Sequence, residues 1–220
     1  YWPAVAEVCK RRGVLLILDE VLTGFGRTGT WFAADHWGIR PDMITAGKGA
    51  SSGYWPLGLC IAAGHVYDAV TEARNFLHGF TWSHHPVGAA VAEATVGVIE
   101  REGLLDVSRD LGQRGRAWLG DAFSDHPNVG DIRGKGLLMA VEFVSDRGSK
   151  VPFDRTDRVA ERIVEAAFDR CLTVYPCGSA VDGNVGDAVL LGPPLCVSPD
   201  ELREMIDRLV DAVRAVLPVG

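Results

Sequence analysis

The chain has 220 residues, of which 47% are hydrophobic and 23% are charged, which is enough for one large domain or a main domain with a smaller one. Its net charge of -7 and its lack of a basic stripe argue against nucleic acid or an anionic membrane as a partner. No apolar run approaches the ~20 residues that a membrane span needs. We therefore expect a globular protein.

The five cysteines are odd in number, widely spaced and free of any C-x-x-C pair. This pattern favours neither a disulfide framework nor a zinc site, and the histidines show no metal-ligand spacing either. A reducing cytoplasm is the compartment that fits best. The sequence begins at Tyr1, inside or just before a helix, which is typical of a piece of a longer polypeptide.

The first 105 or so residues alternate helix and strand signals. The predicted elements are, in order, a helix ending near Arg12, strands at 14–18, 43–46 and 57–63, and a helix that begins at Pro86. The run at 14–18 is continuously aliphatic, which predicts a strand buried on both faces. This alternation predicts an α/β sheet with its functional residues in loops at the strand ends.

From about residue 108 the pattern changes. The predicted elements are a helix at 104–124, an extended segment at 134–144, a helix at 156–170, strands at 172–175 and 188–192, and a final helix from Pro199. The final helix is the clearest, because Ser198 and Glu201 form a capping box ahead of an apolar stripe at helical spacing. We predict part of a large domain at 1–107 and a small α+β domain at 108–220.

Two glycine-containing motifs invite a phosphate-binding interpretation. GFGRTG (24–29) matches G-x-G-x-x-G, but residues 20–23 separate it from the preceding strand, so a dinucleotide-binding oxidoreductase is kept only as an alternative. The pair Gly47-Lys48 lacks the upstream glycine and the following hydroxyl of a P-loop, since Asp42 and Gly49 occupy those positions.

Three polar residues stand at the ends of predicted elements. Lys48 follows a strand between two glycines, where a lysine is most often a solvated surface charge. Asp19 ends an apolar strand, where a carboxylate needs a cation or several donors; a helix cap and an ion pair with Arg27 are the alternatives. Thr81 precedes the helix at Pro86, where a hydroxyl and free N–H groups suit a phosphate or serve as an N-cap.

Pyridoxal phosphate would account for these residues together. This cofactor needs a lysine for its Schiff base, an acid beside the pyridine nitrogen, an apolar surface on the ring and an anion site for the phosphate. Lys48, Asp19, Val21 and Thr81 supply these four groups at the ends of neighbouring strands and the start of a helix.

Five segments carry a family resemblance. They are LLILDEVLTGFGRTG (15–29), PDMITAGKG (41–49), PLG (56–58), HGFTWSHHPVGAA (78–90) and IRGKGLLMAVEF (132–143). In this order and spacing they resemble the motifs of class-III, ω-type aminotransferases, which are pyridoxal-phosphate enzymes of fold type I. The resemblance runs from about residue 3 to the end and covers the C-terminal half of such an enzyme. The family's missing N-terminal half would complete the cofactor site.

The resemblance implies a role for each site residue. Lys48 would carry the Schiff base, Asp19 would pair with the pyridinium nitrogen, and Val21 would pack on the ring. Thr81 would contact the phosphate in the neighbouring subunit's site of a homodimer. The implied reaction transfers an amino group from an amine or ω-amino acid to an α-keto acid such as pyruvate. An aminomutase or decarboxylase would use the same Lys48 and Asp19, and an inactive half-protein that only dimerises is a further alternative.

Three departures from the family pattern bear on the substrate. Leu22 stands where members acting on ω-amino acids with a carboxylate often carry glutamine. Leu190 and Tyr175 stand where other members place a carboxylate-binding arginine. These departures weaken a GABA-, ornithine- or diaminopelargonate-type assignment. They favour a simpler amine donor with pyruvate as the acceptor.

Overall fold

The computed structural model describes residues 1–73 and 76–219. It divides into two compact units, Tyr1–Leu105 and Asp106–Gly220. The domain boundary between residues 107 and 108, with the roles assigned to the two parts, stays a prediction. Within the described ranges, none of the helices has the length and apolar composition to cross a membrane.

The first unit is built around a three-stranded sheet. Its elements are α1 (Trp2–Arg12), β1 (Ile17–Asp19), β2 (Met43–Ala46), β3 (Leu59–Ala62), α2 (Gly64–Glu72) and α3 (Pro86–Arg101). The strand order is β1-β2-β3, with β1 parallel and β3 antiparallel to β2. The predicted α1 is confirmed, and it ends at Gly13, whose left-handed φ of 64° suits glycine.

The first strand differs from its prediction in length and burial. β1 begins at Ile17 rather than at residue 14, and Val14, Leu15 and Ile17 are each more than half exposed. Leu18 is the buried residue of the strand. The expectation of burial on both faces was wrong, because the described residues cover only the Leu18 face of β1, where Trp2, Ala6 and Ala34 pack.

The second unit is an antiparallel sheet covered by helices. Its elements are α4 (Leu104–Ala122, beginning just before the boundary), β4 (Val129–Lys135), β5 (Leu138–Phe143), α5 (Val159–Phe168), β6 (Tyr175–Val181), β7 (Val185–Leu191) and α6 (Pro199–Val216). The strand order is β4-β5-β7-β6. One apolar core joins buried residues of α4, α5, α6, β5 and β7, with Leu119, Met139, Ile163, Leu191 and Ile206 among its members.

Two strands of this sheet correct the sequence analysis. The segment predicted as a single extended stretch at 134–144 contains the end of β4, a turn and all of β5, so most of β4 was missed. Glycines interrupt the alternation of β4: a Cβ on Gly130 would lie 2.7 Å from a methyl carbon of the buried Val144, which would have to shift. β6 begins at Tyr175, whereas a strand was predicted at 172–175.

The predicted start of α6 is confirmed in detail. Ser198 Oγ accepts a hydrogen bond from the Glu201 N–H at 3.2 Å, and Glu201 Oε2 accepts one from the Ser198 N–H at 2.8 Å. This reciprocal pair satisfies two backbone donors that the first helical turn leaves without partners.

His126 links the start of β4 to the end of α6. Its side chain is buried, its Nε2 lies 3.1 Å from the Leu217 carbonyl oxygen, and its Nδ1 accepts a hydrogen bond from the Asn128 N–H at 3.2 Å. A neutral ring with its proton on Nε2 satisfies both contacts. Burial lowers the pKa of His126, the hydrogen bond to Leu217 raises it, and the positive charges of Arg214 and Arg147 lower it further.

We expect the free energy of unfolding to fall as the pH drops below about 6.5, the pKa of an unfolded histidine. In that range the unfolded chain binds a proton that the folded His126 resists. Its contribution to stability is therefore complete above the unfolded pKa and is lost as the pH falls through the lower, folded pKa. Urea unfolding of wild type and His126→Gln between about pH 5 and pH 8 measures the difference.

The variant His84→Gln is the control, because His84 is exposed in a turn of the other unit. It should keep the pH dependence of the wild type, whereas His126→Gln should flatten it. Equal pH dependence in the wild type and His126→Gln would contradict a buried neutral ring.

Candidate active site

Lys48 lies just beyond the carboxyl end of β2, whose last residue is Ala46. It begins the 3-10 turn Lys48–Ala50, and it is exposed. Its φ of 41° lies in the left-handed region, which is uncommon for a residue other than glycine. Residues held in such conformations cluster at functional sites, where the surrounding packing maintains them.

The glycines on either side of Lys48 are closely packed. A Cβ on Gly47 would lie 3.1 Å from the Leu57 carbonyl oxygen and 3.9 Å from Val21 Cγ1. A Cβ on Gly49 would lie 3.2 Å from Phe25 Cβ. The lysine turn therefore fits between the chain that follows β1 and the chain that precedes β3.

Asp19 is the last residue of β1, and it pairs with Thr45 of β2. Because the two strands are parallel, their carboxyl ends lie at the same edge of the sheet, so Asp19 and Lys48 both follow that edge. Asp19 is exposed, and its Oδ1 accepts a hydrogen bond from the Val21 N–H at 2.9 Å. The expectation that burial of Asp19 would demand a cation was therefore wrong.

Glu20, to which the sequence analysis gave no role, is the buried carboxylate. It is 3% exposed. Its Oε2 accepts a hydrogen bond from the Ala33 N–H at 2.9 Å and its Oε1 accepts one from the Ala34 N–H at 2.8 Å, while the Thr23 hydroxyl donates a third. The available signal was the Asp-Glu pair itself, since consecutive residues at a strand end point to opposite faces.

Val21 lies beside the lysine turn, with its side chain half-buried and close to Gly47. Thr81 lies in an exposed turn ahead of α3, and no hydrogen bond joins it to Asp19, Val21 or Lys48 within residues 1–73 and 76–219. The structure thus brings together three of the four predicted site residues.

The helix that follows Thr81 is capped by another residue. His85 Nδ1 accepts a hydrogen bond from the Val87 N–H at 3.3 Å, so the alternative in which Thr81 serves as the N-cap was wrong. The first turn of α3 packs against the chain between the lysine turn and β3. A Cβ on Gly88 would be 3.0 Å from the Trp55 ring, and α3 also contacts the lysine turn itself.

The glycine motif GFGRTG forms a turn that leads into the short 3-10 helix Ala33–Trp37. In a dinucleotide-binding fingerprint, the glycine turn opens an α-helix whose N-terminus binds the pyrophosphate. The segment after Gly29 contains no α-helix before β2. The geometry of this motif therefore does not favour the oxidoreductase alternative.

Solved structures of two transaminases share this architecture. One, from the marine bacterium Virgibacillus, has a TM-score of 0.93 and 32% identity, with 99% of this chain and 48% of that chain covered. The other, a thermostable (S)-enantioselective ω-transaminase from Thermomicrobium roseum, has a TM-score of 0.90 and 38% identity, with 99% and 47% covered. The chain therefore has the pyridoxal-phosphate-dependent transferase fold of type I, as the sequence predicted.

The sequence comparisons narrow this class further. The class-III aminotransferase family model matches residues 1–213, and the chain belongs to that family. An uncharacterized aminotransferase of Sinorhizobium fredii, y4uB, is 41% identical over 99% of this chain and 46% of its own length. The chain thus spans about half the length of the curated relatives it matches.

The packing at Gly47 can be tested by adding a methyl group. We expect Gly47→Ala to lower the free energy of unfolding by about 1 kcal/mol relative to Gly58→Ala, because the new Cβ would lie 3.1 Å from the Leu57 carbonyl oxygen and displace that backbone. Gly58→Ala is the matched control, since a Cβ there meets nothing within 4 Å. Chemical denaturation of both variants gives the comparison, and equal stabilities would contradict the close packing described for the lysine turn.

Proposed function

We propose that this chain is the part of an aminotransferase that holds pyridoxal phosphate through Lys48. The reaction transfers an amino group from an amine or ω-amino acid to an α-keto acid, with pyruvate as the favoured acceptor. The observation that carries the proposal is the parallel pairing of β1 with β2, which places Asp19 and Lys48 at one edge of the sheet.

The chemistry of the groups at this edge fits the cofactor. The Val21 N–H donates to Oδ1 of Asp19, and the Asp19 carboxylate would accept a further hydrogen bond from the protonated pyridine nitrogen. Val21 adds an apolar side chain beside the lysine turn, and the exposed Lys48 supplies the amine. Bound pyridoxal phosphate would supply an electron sink for a carbanion at the substrate carbon.

Lys48 would have two functions in this reaction. Its Nζ would attach the cofactor covalently, and after displacement by the donor amine the same Nζ would take the proton from the amine-bearing carbon of the donor. Close packing at Gly47 and Gly49 restricts the backbone of Lys48. The Lys48 side chain therefore starts from a fixed position, which reduces the number of unproductive orientations of Nζ.

Asp19 would hold a proton on the ring nitrogen of the cofactor. A carboxylate hydrogen-bonded to a protonated ring nitrogen is a charge-assisted pair, which favours retention of that proton. The hydrogen bond from the Val21 N–H to Oδ1 orients the Asp19 carboxylate. Asp19 would thereby hold the proton at the nitrogen while Lys48 moves the proton at the substrate carbon.

The choice of amino donor rests on three positions that carry uncharged side chains. By the family resemblance, Leu22, Tyr175 and Leu190 occupy positions where other members carry a glutamine or an arginine for a substrate carboxylate. Their uncharged side chains support a donor without a carboxylate. The (S)-enantioselective ω-transaminase from Thermomicrobium roseum is 38% identical to this chain, which supports an amine donor of that general kind.

For the assembly we propose a cytoplasmic homodimer in which Thr81 of one subunit contacts the phosphate in the other subunit's site. Thr81 is exposed, and it does not cap its own helix. Its neighbours Phe80 and Trp82 are also exposed, which suits a segment covered by a second copy. The five free cysteines are compatible with a reducing cytoplasm.

Replacement of Lys48 tests the central assignment. Full-length wild-type protein incubated with pyridoxal phosphate should show a visible absorption band, and borohydride should fix the cofactor on the peptide that contains Lys48. Lys48→Ala should lose the band, the labelled peptide and amino transfer from an amine to pyruvate. Lys10→Ala, which removes an exposed lysine at the end of α1, should keep all three.

Normal turnover by a folded Lys48→Ala variant would overturn the assignment. An aminomutase or a decarboxylase would also label Lys48 but would form no alanine from pyruvate, so the product separates these alternatives from a transaminase.

A change at Asp19 should affect turnover more than attachment. Asp19→Asn keeps the shape of the side chain but removes the charge that holds the proton on the ring nitrogen. We expect borohydride labelling of Lys48 to persist while kcat falls by about tenfold or more. Peptide mass spectrometry after borohydride reduction measures the labelling and steady-state kinetics measure kcat, and an unchanged kcat would contradict the role given to Asp19.

The proposed contribution of Thr81 to the other subunit can be tested by complementation. Thr81→Val and Lys48→Ala should each reduce activity, and co-expression of the two differently tagged chains should restore it in the mixed dimer. One site of that dimer then carries both changes and the other carries neither, so about half of the wild-type activity is expected. Activity no higher than that of the single variants would contradict action across the dimer.

A further inference from the structure

Glu20 holds three parts of the first unit together. Its backbone N–H donates to the Thr45 carbonyl oxygen of β2 at 2.8 Å, and its own carbonyl oxygen accepts from the Gly24 N–H at 2.9 Å. Its carboxylate accepts hydrogen bonds from the N–H groups of Ala33 and Ala34, at the start of the 3-10 helix. A residue with 3% of its surface exposed thus connects the sheet, the glycine turn and a helix start.

The carboxylate is matched to its donors. Two backbone N–H groups and the Thr23 hydroxyl donate to its two oxygens. A glutamine in this place would present an NH2 group to one of these donors, which would leave a buried donor without an acceptor. The site therefore selects a carboxylate over an amide of the same size.

Its neighbours in the chain are the residues assigned to the cofactor. Asp19 precedes Glu20 and Val21 follows it, and the Val21 N–H donates to Asp19 Oδ1. The backbone of Glu20 therefore sets where the Asp19 carboxylate and the Val21 side chain stand relative to Lys48. Preorganised groups bind a ligand more tightly, because less conformational freedom is lost on binding.

We infer that Glu20 is a positioning residue for pyridoxal phosphate: its buried carboxylate fixes Asp19 and Val21 through the hydrogen bonds to Ala33 and Ala34. This inference rests on the proposed function of Lys48 and Asp19. Glu20 acts through its neighbours, and its side chain is directed into the protein rather than towards the substrate.

The test compares cofactor binding with stability in two variants of the full-length protein. Glu20→Gln exchanges one acceptor oxygen for a donor. Ala33→Pro removes one N–H donor and leaves Glu20 intact; proline suits this first helical position, and Phe32 before it is extended, with φ -131° and ψ 148°. If Glu20→Gln does not fold, Ala33→Pro decides the matter.

Two measurements report on position rather than on folding. The Kd for pyridoxal phosphate, titrated into cofactor-free protein, should rise about tenfold in Glu20→Gln and by a smaller factor in Ala33→Pro. The midpoint of the pH titration of the bound cofactor's absorbance should also shift, more in Glu20→Gln than in Ala33→Pro, because Asp19 would be held less firmly beside the ring nitrogen.

Asp187→Asn is the matched control. Asp187 is also a buried carboxylate at a helix start, where its Oδ1 accepts from the Ala160 N–H at 2.9 Å, but it lies in the second unit. Its replacement should leave both the Kd and the pH titration of the cofactor unchanged.

The outcomes separate the inference from the proposed function. A lowered thermal midpoint with wild-type Kd and pH titration in Glu20→Gln and Ala33→Pro would show a purely structural role and overturn the inference. A wild-type protein that binds no pyridoxal phosphate on Lys48 would overturn the proposed function itself, and the inference with it.

Discussion

Two short strands, β1 and β2, pair in parallel, and their register determines which residues meet at the carboxyl edge of the sheet. Asp19 stands opposite Thr45, so the chain leaves β1 and β2 at nearly the same level. A shift of one residue would turn Asp19 inward and Glu20 outward, because side chains alternate between the two faces of a strand. The register thus places one carboxylate on the exposed face and the other in the interior.

The buried carboxylate stabilises this register. Burial of Glu20 without partners would cost several kcal/mol, but the N–H groups of Ala33 and Ala34 and the Thr23 hydroxyl compensate for lost water. Those donors are correctly placed only when Glu20 faces inward, so the same contacts disfavour the shifted alternative. Stabilisation of the fold and orientation of Asp19 therefore have a common origin.

The sequence predicted elements whose signals are local. β2 and α6 were predicted well, because a short apolar run and a reciprocal capping box are visible within a few residues. Most of β4 was missed, since Gly130 and Gly134 interrupt its alternation and lie in close contact with β5 and the chain beyond it. The exposure of β1 depends on which of its faces distant residues cover, and the hydrogen bonds of Glu20 depend on residues 13 and 14 positions away, which no local pattern contains.

Lys48 has a backbone conformation that favours glycine and a side chain that glycine lacks. Its φ of 41° would suit glycine, which adopts left-handed conformations at little cost, yet glycine has no amine. Strain at a non-glycine residue persists only where its surroundings maintain it, and Gly47 and Gly49 provide this by packing against Leu57 and Phe25. Positive φ alone does not assign a chemical role, since eight other described residues besides glycine share it, Lys150 among them. What sets Lys48 apart is its place directly beyond the sheet edge at which Asp19 ends β1.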